Sequence, residues 1–470
     1  MKNIVIVLFF FSFLLKAQSK KLITADTALV KKYRLNIVEP SDDLFSVPEW
    51  FQNLDMITSG FWWIKDKPDT SKKNFWKDYG FCLKDTLIKR VVRLHQSYGE
   101  LLSHEQKLVT IDGNFDGTSI KGVTLISHVP HSKTAFKQAH EQGFKVIPYV
   151  HFKDIHTNYA DQDLFYFQHP EVLLKNKQGK WVHLPMDGTD RLFRLLVCSN
   201  SPAYWKYSIA YIKKLMDWGA DGIFIDNVGH REECYGEDYF KSNPELLPYK
   251  HEHLFHGATQ DYAFNRFLQT VRKLVKSYGS DKVIILNSGI GTDLQKSGDG
   301  SMVESFIYSW AWKGRNKKYS WSNIKKLAKK NEKFIKTGYR LTALSYLNKK
   351  RKEIKEDAFW AFSAARLTNM IWWANLVNTD AQILYKVHLG KPLEKIIENN
   401  NVASRIFEYG IIVLNDNDEG KNVRIDVSKY FHNNHFYDIY DNQQEVPINN
   451  FSINIKLPSK SARIYYYKKL

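Results

Sequence analysis

Residues 219–227 read Gly219-Ala-Asp-Gly-Ile-Phe-Ile-Asp226-Asn227, and this stretch indicates the fold more clearly than any other part of the chain. A helix is predicted just before it, over residues 203–218, and small residues then form a turn. The apolar run 222–225 is typical of a parallel strand, because parallel strands are buried on both faces. The strand ends on Asp226, a carboxylate that is costly to bury unless it is paired or used. Catalytic side chains lie at the carboxyl ends of the strands in β/α barrels, so Asp226 is the first candidate for a catalytic residue.

Strand-like and helix-like segments alternate on both sides of this stretch. Residues 132–142 begin with a serine N-cap and end before Gly143, and residues 261–278 and 323–337 are similar amphipathic segments. The predicted strands are 61–64, 108–112, 123–128, 146–152, 222–226, 283–287, 303–308, 341–347 and 371–376. Alternation over about 330 residues predicts a parallel α/β fold, and this length fits a (β/α)8 TIM barrel. We assign the barrel to residues 20–400.

Nine predicted strands compete for eight places, so one of them is wrong or lies outside the barrel. Residues 61–64 and 108–112 have the weakest strand patterns. A doubly wound sheet is the main alternative, but no glycine-rich phosphate loop or dinucleotide fingerprint follows an early strand. The barrel is therefore the preferred fold.

Residues 401–470 have a different pattern. Short strand-like runs at 407–414, 423–427, 435–440, 453–456 and 462–467 are separated by turns rich in Asn, Asp and Gly. Even spacing with turn residues between the runs predicts a small antiparallel β-sandwich. We place the domain boundary near Asn400.

The first 19 residues have the pattern of a secretory signal peptide. Lys2 provides the positive start, residues 4–15 are apolar, and Leu-Lys-Ala at residues 15–17 is an acceptable cleavage site. The apolar run is too short for a membrane span, and no later segment reaches the roughly 18 apolar residues that a span needs. We expect an exported protein, secreted or periplasmic, without a transmembrane segment.

The chain is basic and rich in aromatic residues. It has 68 Lys and Arg against 50 Asp and Glu, a formal net charge of +18, and 14% aromatic residues. A basic exported protein attracts anionic polymers such as sulfated polysaccharides, and exposed aromatic rings can stack on sugars. Much of the charge lies in residues 313–352, which a solvated outer helix also explains. No nucleic-acid-binding motif is present, so nucleic acid is not an expected partner, and no pattern indicates an oligomeric state.

Neither the three cysteines nor the histidines at positions 251 and 253 suggest a metal site. Cys82, Cys198 and Cys234 are odd in number and widely spaced, a pattern of neither a disulfide framework nor a zinc site. Buried free thiols are the preferred interpretation, with one disulfide as the alternative. His251 and His253 are expected in an exposed loop. The prediction is therefore no metal and no cofactor.

Hydrolysis of a glycosidic bond needs two carboxyl groups that flank the bond. Asp226 supplies one. The strand after it ends in Asn287, which is not an acid, and the next strand carries Glu304 in an otherwise apolar run. An apolar environment suits a general acid. If these are strands four and six of one barrel, both carboxyl groups lie at the same mouth.

These residues resemble a known group of enzymes. Residues 200–205, Asn-Ser-Pro-Ala-Tyr-Trp, followed by a helix and by residues 219–228, resemble the strand-four region of barrel glycoside hydrolases of the amylase-like and α-galactosidase-like clans. With Ile-Ile-Leu-Asn-Ser-Gly at 284–289 and Val-Glu-Ser at 303–305, the order is most similar to the endo-polygalactosaminidase-type families. The resemblance covers about residues 120–310. It implies that Asp226 is the nucleophile and Glu304 the acid/base, with retention of anomeric configuration.

The chain also departs from the amylase pattern. Amylases place an acid on strand five, where this chain has Asn287, and a His-Asp pair on strand seven, where it has Tyr346-Leu-Asn348. Amylase activity is therefore not expected. A cationic galactosamine polymer would prefer an acidic cleft, so that substrate is not expected either. Residues 401–470 resemble the accessory domain that follows amylase-type barrels.

Seven further residues are predicted to line the cleft. They are Tyr149, His151, Asn227, Asn287, Trp310, Trp312 and Tyr346. The leading hypothesis is an exported O-glycoside hydrolase that acts on a polysaccharide or oligosaccharide, with an anionic or sulfated polymer as one substrate class. The alternative is a non-catalytic carbohydrate-binding protein on a degenerate barrel, because folds lose chemistry easily. A metal-dependent hydrolase is a third hypothesis.

Overall fold

The computed structural model describes most of the chain. The described residues are 23–39, 46–59, 125–127, 131, 133–154, 169–185, 193–229, 231–246, 250–287, 293–307, 320–335, 337–347, 354–374, 376, 379–431 and 435–470. Their α-helices are α1 (Thr27–Tyr33), α2 (Glu49–Gln52), α3 (Lys133–Glu141), α4 (Pro202–Asp217), α5 (Gly236–Ser242), α6 (Gln260–Ser277), α7 (Trp321–Lys330), α8 (Glu332–Ile335) and α9 (Ile354–Leu367). None of these helices is both long enough and apolar enough to span a bilayer.

The described strands belong to two regions of the chain. The first region contains β1 (Met56–Ser59), β2 (Leu125–Ser127), β3 (Lys145–Ile147), β4 (Tyr149–His151), β5 (His183–Pro185), β6 (Phe193–Leu195), β7 (Gly222–Asp226), β8 (Val283–Asn287), β9 (Gly300–Val303), β10 (Arg340–Leu344) and β11 (Ile371–Trp373). The second contains β12 (Ile397–Asn399), β13 (Val402–Phe407), β14 (Gly410–Asn415), β15 (Lys421–Asp426), β16 (His435–Asp438), β17 (Gln444–Pro447), β18 (Ser452–Leu457) and β19 (Ser461–Tyr466).

A nine-stranded parallel sheet organises the first region. Its order is β3-β2-β1-β11-β10-β9-β8-β7-β4. Only Pro148 separates β3 from β4. The first of these strands pairs with β2 and the second pairs with β7, with His151 opposite Asp226. One continuous segment, residues 145–151, is therefore hydrogen-bonded to strands at both ends of the order, and the fold is TIM-barrel-like.

Local sequence explains where the principal helices begin. Ser201 is the N-cap of α4, where its side chain accepts a hydrogen bond from the Tyr204 amide, and proline follows at the first helical position, where its missing N–H costs nothing. Thr259 caps α6 in the same way. Both helices bury an apolar face against the outer side of the parallel sheet. One face of the sheet is thus covered by helices, and the other carries a separate apolar cluster that includes Ile57, Phe224 and Trp373.

Paired aspartates lie at the amino ends of three strands of the parallel sheet. Asp55, Asp221 and Asp299 each stand one residue before a strand, namely β1, β7 and β9. Asp55 pairs with Arg366 (2.6 Å), Asp221 with His140 (2.8 Å) and Asp299 with Arg272 (2.9 Å). This edge of the sheet is thus occupied by charge pairs between strands and helices. In this class of fold the amino edge serves stability and the opposite edge serves chemistry.

The second region forms antiparallel sheets. A six-stranded sheet has the order β12-β13-β14-β19-β16-β17, and β15 pairs with β18 in a two-stranded sheet. One face of the central strands packs on the β15–β18 pair through residues such as Ile411, Val413 and Ile453. The other face packs on α9. Strands β13, β14 and β19 are therefore buried on both faces, and β14 is a nearly continuous apolar run for that reason.

The predicted combination of a barrel-like parallel sheet with antiparallel sheets after it is confirmed, with local differences. Strand β1 was not predicted, because Met-Ile-Thr-Ser is short and mixed in polarity. The predicted strand 303–308 is wrong, since β9 spans Gly300–Val303 and Ser305 has a positive φ of 60° that ends the extended chain. The predicted strand 407–414 is the turn and second arm of the β13–β14 hairpin. Strands β12 and β17 are mostly exposed and have no apolar pattern.

Some predictions fall on residues outside those described. These are the signal peptide at residues 1–19, the strands 61–64 and 108–112, Cys82, Trp310, Trp312 and part of the basic stretch 313–352. Within that stretch, α7 carries Lys326, Lys329 and Lys330 on its exposed face, as a solvated outer helix would.

Candidate active site

The predicted acids lie at the carboxyl edge of the parallel sheet. Asp226 is the last residue of β7, Asn287 is the last residue of β8, and Glu304 follows β9 directly. Tyr149 lies in β4, on the other side of β7, and Tyr346 lies two residues beyond β10. Since the carboxyl ends of neighbouring parallel strands meet at one edge, five consecutive strands bring these side chains together.

Asp226 is held by three hydrogen-bond donors. The hydroxyl of Tyr149 donates to Oδ2 and the amide Nδ2 of Asn287 donates to Oδ1. The backbone N–H of Asn227 also donates to Oδ1, at 2.7 Å. These donors come from three different strands or strand ends, so the orientation of the carboxylate is set by the sheet. The carboxylate itself is half-buried.

Glu304 shares one of these donors with Asp226. Asn287 Nδ2 lies 3.1 Å from Glu304 Oε2, and the Tyr346 hydroxyl donates to Oε1 at 2.9 Å. Two oxygens that accept from the same nitrogen can be no farther apart than two hydrogen-bond lengths, about 6 Å. The nearest oxygens of the two carboxyl groups therefore lie within about 6 Å of each other, close enough to act on one bond between them.

Tight backbone turns follow both carboxylates. Asn227 has a φ of 56° and Ser305 a φ of 60°, the left-handed region that few non-glycine residues adopt. After Asn227, the amide of Val228 donates to the carbonyl of Asn287 at 3.2 Å, so the chain crosses to the neighbouring strand. After Ser305, the amide of Phe306 donates to the carbonyl of Leu344 at 2.7 Å. Strained backbone of this kind clusters at functional sites.

Aromatic residues form the floor beneath the two acids. Tyr149 and Tyr346 pack on the apolar cluster inside the sheet, where the rings of Phe224 and Trp373 lie 4.9 Å apart. Burial, together with the negative charge of Glu304, raises the pKa of Tyr346 above its ordinary range. The phenol is therefore neutral at all working pH values and acts as a hydrogen-bond donor to Glu304.

His151 is buried beside the acids and lies next to a further carboxyl group. Its Nδ1 lies 3.2 Å from Asp154 Oδ1, and both side chains are 1% exposed. His151 is also opposite Asp226 in the β4–β7 register. Asp154 was not predicted, although its position three residues after His151 in a strand-to-loop segment is the signal that could have found it.

The structure brings most of the predicted site residues together. Tyr149, Asn287 and Tyr346 contact the two acids, and Asn227 contributes its backbone N–H. The side-chain Nδ2 of Asn227 is buried and has no hydrogen-bond partner among the described residues. His151 is adjacent through the strand register. Only Trp310 and Trp312 lie outside the described residues.

One prediction about the histidines is wrong. His251 is 1% exposed and His253 is 7% exposed, so neither is in an exposed loop position. Both lie with Cys198 and Cys234 in a cluster whose possible ligand atoms are all within 4.8 Å of one another. The His-x-His spacing shortly after a cysteine was the available signal. The fourth member of the cluster, Cys198, is remote in sequence, and only the fold brings it to the other three.

Residues 145–411 match the sequence profile GHL15, "hypothetical glycosyl hydrolase family 15". The chain belongs to this family. The matched segment includes every described member of the candidate site, from Tyr149 to Tyr346. Membership of a glycosyl hydrolase family supports glycoside hydrolase activity. Comparison with curated protein sequences gives no match.

Solved structures of amylase type are similar to this member of the family. An α-amylase from Anoxybacillus is 12% identical, with a TM-score of 0.48 over 89% of this chain and 99% of that one. A maltogenic α-amylase from Thermotoga neapolitana is 14% identical, with a TM-score of 0.48 over 89% and 99%. A debranching enzyme from Nostoc punctiforme is 10% identical, with a TM-score of 0.47 over 90% and 100%.

Proposed function

We propose that the protein is an exported glycoside hydrolase that cleaves O-glycosidic bonds in a polysaccharide or oligosaccharide. Asp226 is the nucleophile and Glu304 is the general acid/base. The observation that carries the proposal is the shared donor, because Asn287 Nδ2 contacts both carboxyl groups and so sets their separation. The endo-polygalactosaminidase-type resemblance agrees with these roles, which it assigns to the acids of strands four and six.

The reaction proceeds in two steps, formation and then hydrolysis of a glycosyl-enzyme. In the first, Asp226 forms a bond to the anomeric carbon while the bond to the leaving oxygen breaks, and Glu304 donates its proton to that oxygen. In the second, Glu304 takes a proton from water, the water oxygen bonds to the anomeric carbon, and the carboxylate of Asp226 is released. Three donors orient Asp226 for its attack in the first step.

The separation of the acids favours retention of anomeric configuration. Retaining enzymes hold their carboxyl groups about 5–5.5 Å apart, whereas inverting enzymes leave about 6.5–9.5 Å for a water molecule. An upper limit of about 6 Å between the nearest oxygens agrees with the first class. NMR of the first sugar released should show the anomer of the substrate, and the opposite anomer would contradict this assignment.

We propose further that the parallel sheet closes as an eight-stranded barrel, with residues 145–151 as a single strand. The pairing of β3 with β2 and of β4 with β7 supports closure. The contact between Phe224 of β7 and Trp373 of β11 also supports it, since these strands lie far apart in the sheet order and meet through the interior.

The surroundings of the acids suit sugar hydroxyls. The unpartnered amide of Asn227 is a buried donor beside the nucleophile, the position of a neighbouring ring hydroxyl. The net charge of +18 favours anionic or sulfated polymers among the possible substrates. A first screen would measure the reducing ends released from a panel of neutral and sulfated glycans.

Two variants test the catalytic roles. Asp226→Asn should abolish hydrolysis of every substrate, because no nucleophile remains. Glu304→Gln should slow hydrolysis of glycosides with poor leaving groups by about 10²–10⁴-fold. It should spare formation of the glycosyl-enzyme from activated aryl glycosides, whose leaving groups need no proton. If Glu304→Gln slowed formation of the glycosyl-enzyme equally on both kinds of substrate, the acid/base role would be ruled out.

Matched controls are available on the same strands. Asp221→Asn and Asp299→Asn change acids just before β7 and β9, at the opposite end of each strand from the site. They should alter stability and leave the turnover of folded protein unchanged. Glycan binding without release of product by the wild-type protein would favour the carbohydrate-binding alternative.

A further inference from the structure

A second cluster of reactive side chains lies outside the candidate active site. Cys234, His251 and His253 belong to the long segment between β7 and α6, and Cys198 precedes α4. All four are buried, and their possible ligand atoms lie within 4.8 Å of one another. Two thiols and two imidazoles converge on one point, and the hydrolytic mechanism uses none of them.

The distances are close to those around a single tetrahedral metal ion. With Zn–S bonds of about 2.3 Å and Zn–N bonds of about 2.0–2.1 Å, tetrahedral ligand atoms lie about 3.3–3.8 Å apart. Cys234 Sγ and His251 Nε2 are already 3.3 Å apart. Small side-chain rotations would bring the other atoms into range. We propose that Cys198, Cys234, His251 and His253 bind one Zn²⁺ ion.

One of the two imidazoles, that of His253, is held as metal ligands usually are, and the other is fixed by packing. His253 Nδ1 lies 3.3 Å from Glu237 Oε2, and the opposite nitrogen, Nε2, is buried. Metal-bound histidines commonly contact a carboxylate through the second ring nitrogen, which fixes the orientation of the ring. Gly236 packs directly on the imidazole of His251, where a Cβ atom would overlap the ring. The absence of a side chain at Gly236 thus leaves room for the His251 ring.

The two sulfurs also have donors directed at them. The backbone N–H of Lys175 donates to Cys234 Sγ at 3.4 Å. The side-chain amide of Gln260 donates to Cys198 Sγ at 3.4 Å. Donors of this kind stabilise thiolates, the form in which cysteine binds metal.

The ligand set selects the metal and its role. Two sulfurs and two nitrogens in tetrahedral geometry suit zinc, whereas magnesium and calcium take oxygen ligands. Four protein ligands fill the coordination sphere and leave no place for water or substrate, which is typical of a structural site. The ion would tie residues 228–259, which begin just after Asp226 and Asn227, to the segment before α4. Zinc would therefore hold the segment that follows the proposed nucleophile, without contacting the substrate.

Metal analysis and cobalt substitution of the full-length protein test this proposal. Protein purified under reducing conditions with Zn²⁺, then desalted, should contain about one zinc per chain. Co²⁺ in its place should give tetrahedral d–d bands and sulfur-to-cobalt charge-transfer absorption. Chelation should lower the melting temperature and expose two thiols to a thiol reagent, and Zn²⁺ should reverse both effects. A Cys198–Cys234 disulfide in the exported protein, or substoichiometric metal after reduction and zinc loading, would overturn the proposal.

Ligand variants locate the ion. Cys198→Ser and His253→Ala should weaken zinc binding at least about tenfold in competition with a chromophoric chelator. His256→Gln is the matched control, since His256 lies in the same segment and also contacts Glu237, at 2.8 Å, but lies outside the cluster. Equal zinc affinity in wild type and both ligand variants would refute the assignment. If the variants do not fold, the cobalt spectrum of the wild-type protein decides.

Discussion

Asp221→Asn tests whether the amino edge of the sheet stabilises the fold through charge. Asp221 precedes β7, and its Oδ2 accepts a hydrogen bond from the Val146 amide at 2.9 Å and pairs with His140 at 2.8 Å. The ammonium groups of Lys282 and Lys145 lie 3.3 and 3.6 Å from Oδ1. Burial alone would raise the pKa of Asp221, but these partners outweigh it and lower the pKa from 3.8 to about 2.

This pKa converts into a free energy of unfolding. A folded-state pKa below the unfolded value means that the ionised form stabilises the fold above about pH 4. The contribution is about 2 kcal/mol at pH 5–7, falls to about 1 kcal/mol at pH 3, and is lost as the pH drops through 2. Asparagine cannot ionise, so the variant should lack this contribution at every pH. The wild-type protein and Asp221→Asn should therefore differ most at neutral pH and converge in acid.

Urea denaturation at several pH values between 3 and 7, followed by tryptophan fluorescence, measures the difference. Asp217→Asn is the control, because Asp217 forms an exposed pair with Lys213 at 2.8 Å on α4. Exposed pairs contribute little and are screened by salt. A loss of stability in Asp221→Asn that stayed constant from pH 7 to pH 3 would refute the reasoning, since lost packing and not lost charge would then be the cause.

Two further predictions concern the candidate site. Asn287→Ala removes the amide that contacts both carboxyl groups, and hydrogen bonds to charged groups contribute about 1.5–3 kcal/mol. We expect kcat/KM to fall by about 10–100-fold with little change in fold, as checked by steady-state kinetics and circular dichroism. An unchanged kcat/KM would show that the shared donor has no role. Because the chain is basic, kcat/KM on a sulfated glycan should fall as ionic strength rises, while hydrolysis of a neutral glycan should not change. The same salt response on both glycans would assign the positive charge to solubility.

The sequence predicts well where local pattern and burial agree. The run 222–225 is apolar because β7 is buried on both faces, and Asp226 after it marks the carboxyl edge. Helices α4 and α6 follow from their caps and their amphipathic period, within one residue of the predicted bounds. Strand β1 is buried but only four residues long, and β12 is exposed, so neither has a pattern that marks it in the sequence.

What the sequence by itself determined is the alternation of strands and helices, the antiparallel pattern after residue 400, and Asp226 and Glu304 as acids beside apolar strands. Tertiary structure alone decided that one amide, Asn287, joins these acids, and that Tyr149 and Tyr346 complete their hydrogen bonds. It also decided that Cys198 meets Cys234, His251 and His253. The physical reason is that strand pairing brings together residues tens to hundreds of positions apart, and no periodicity along the chain records which side chains will share one donor or one buried cluster.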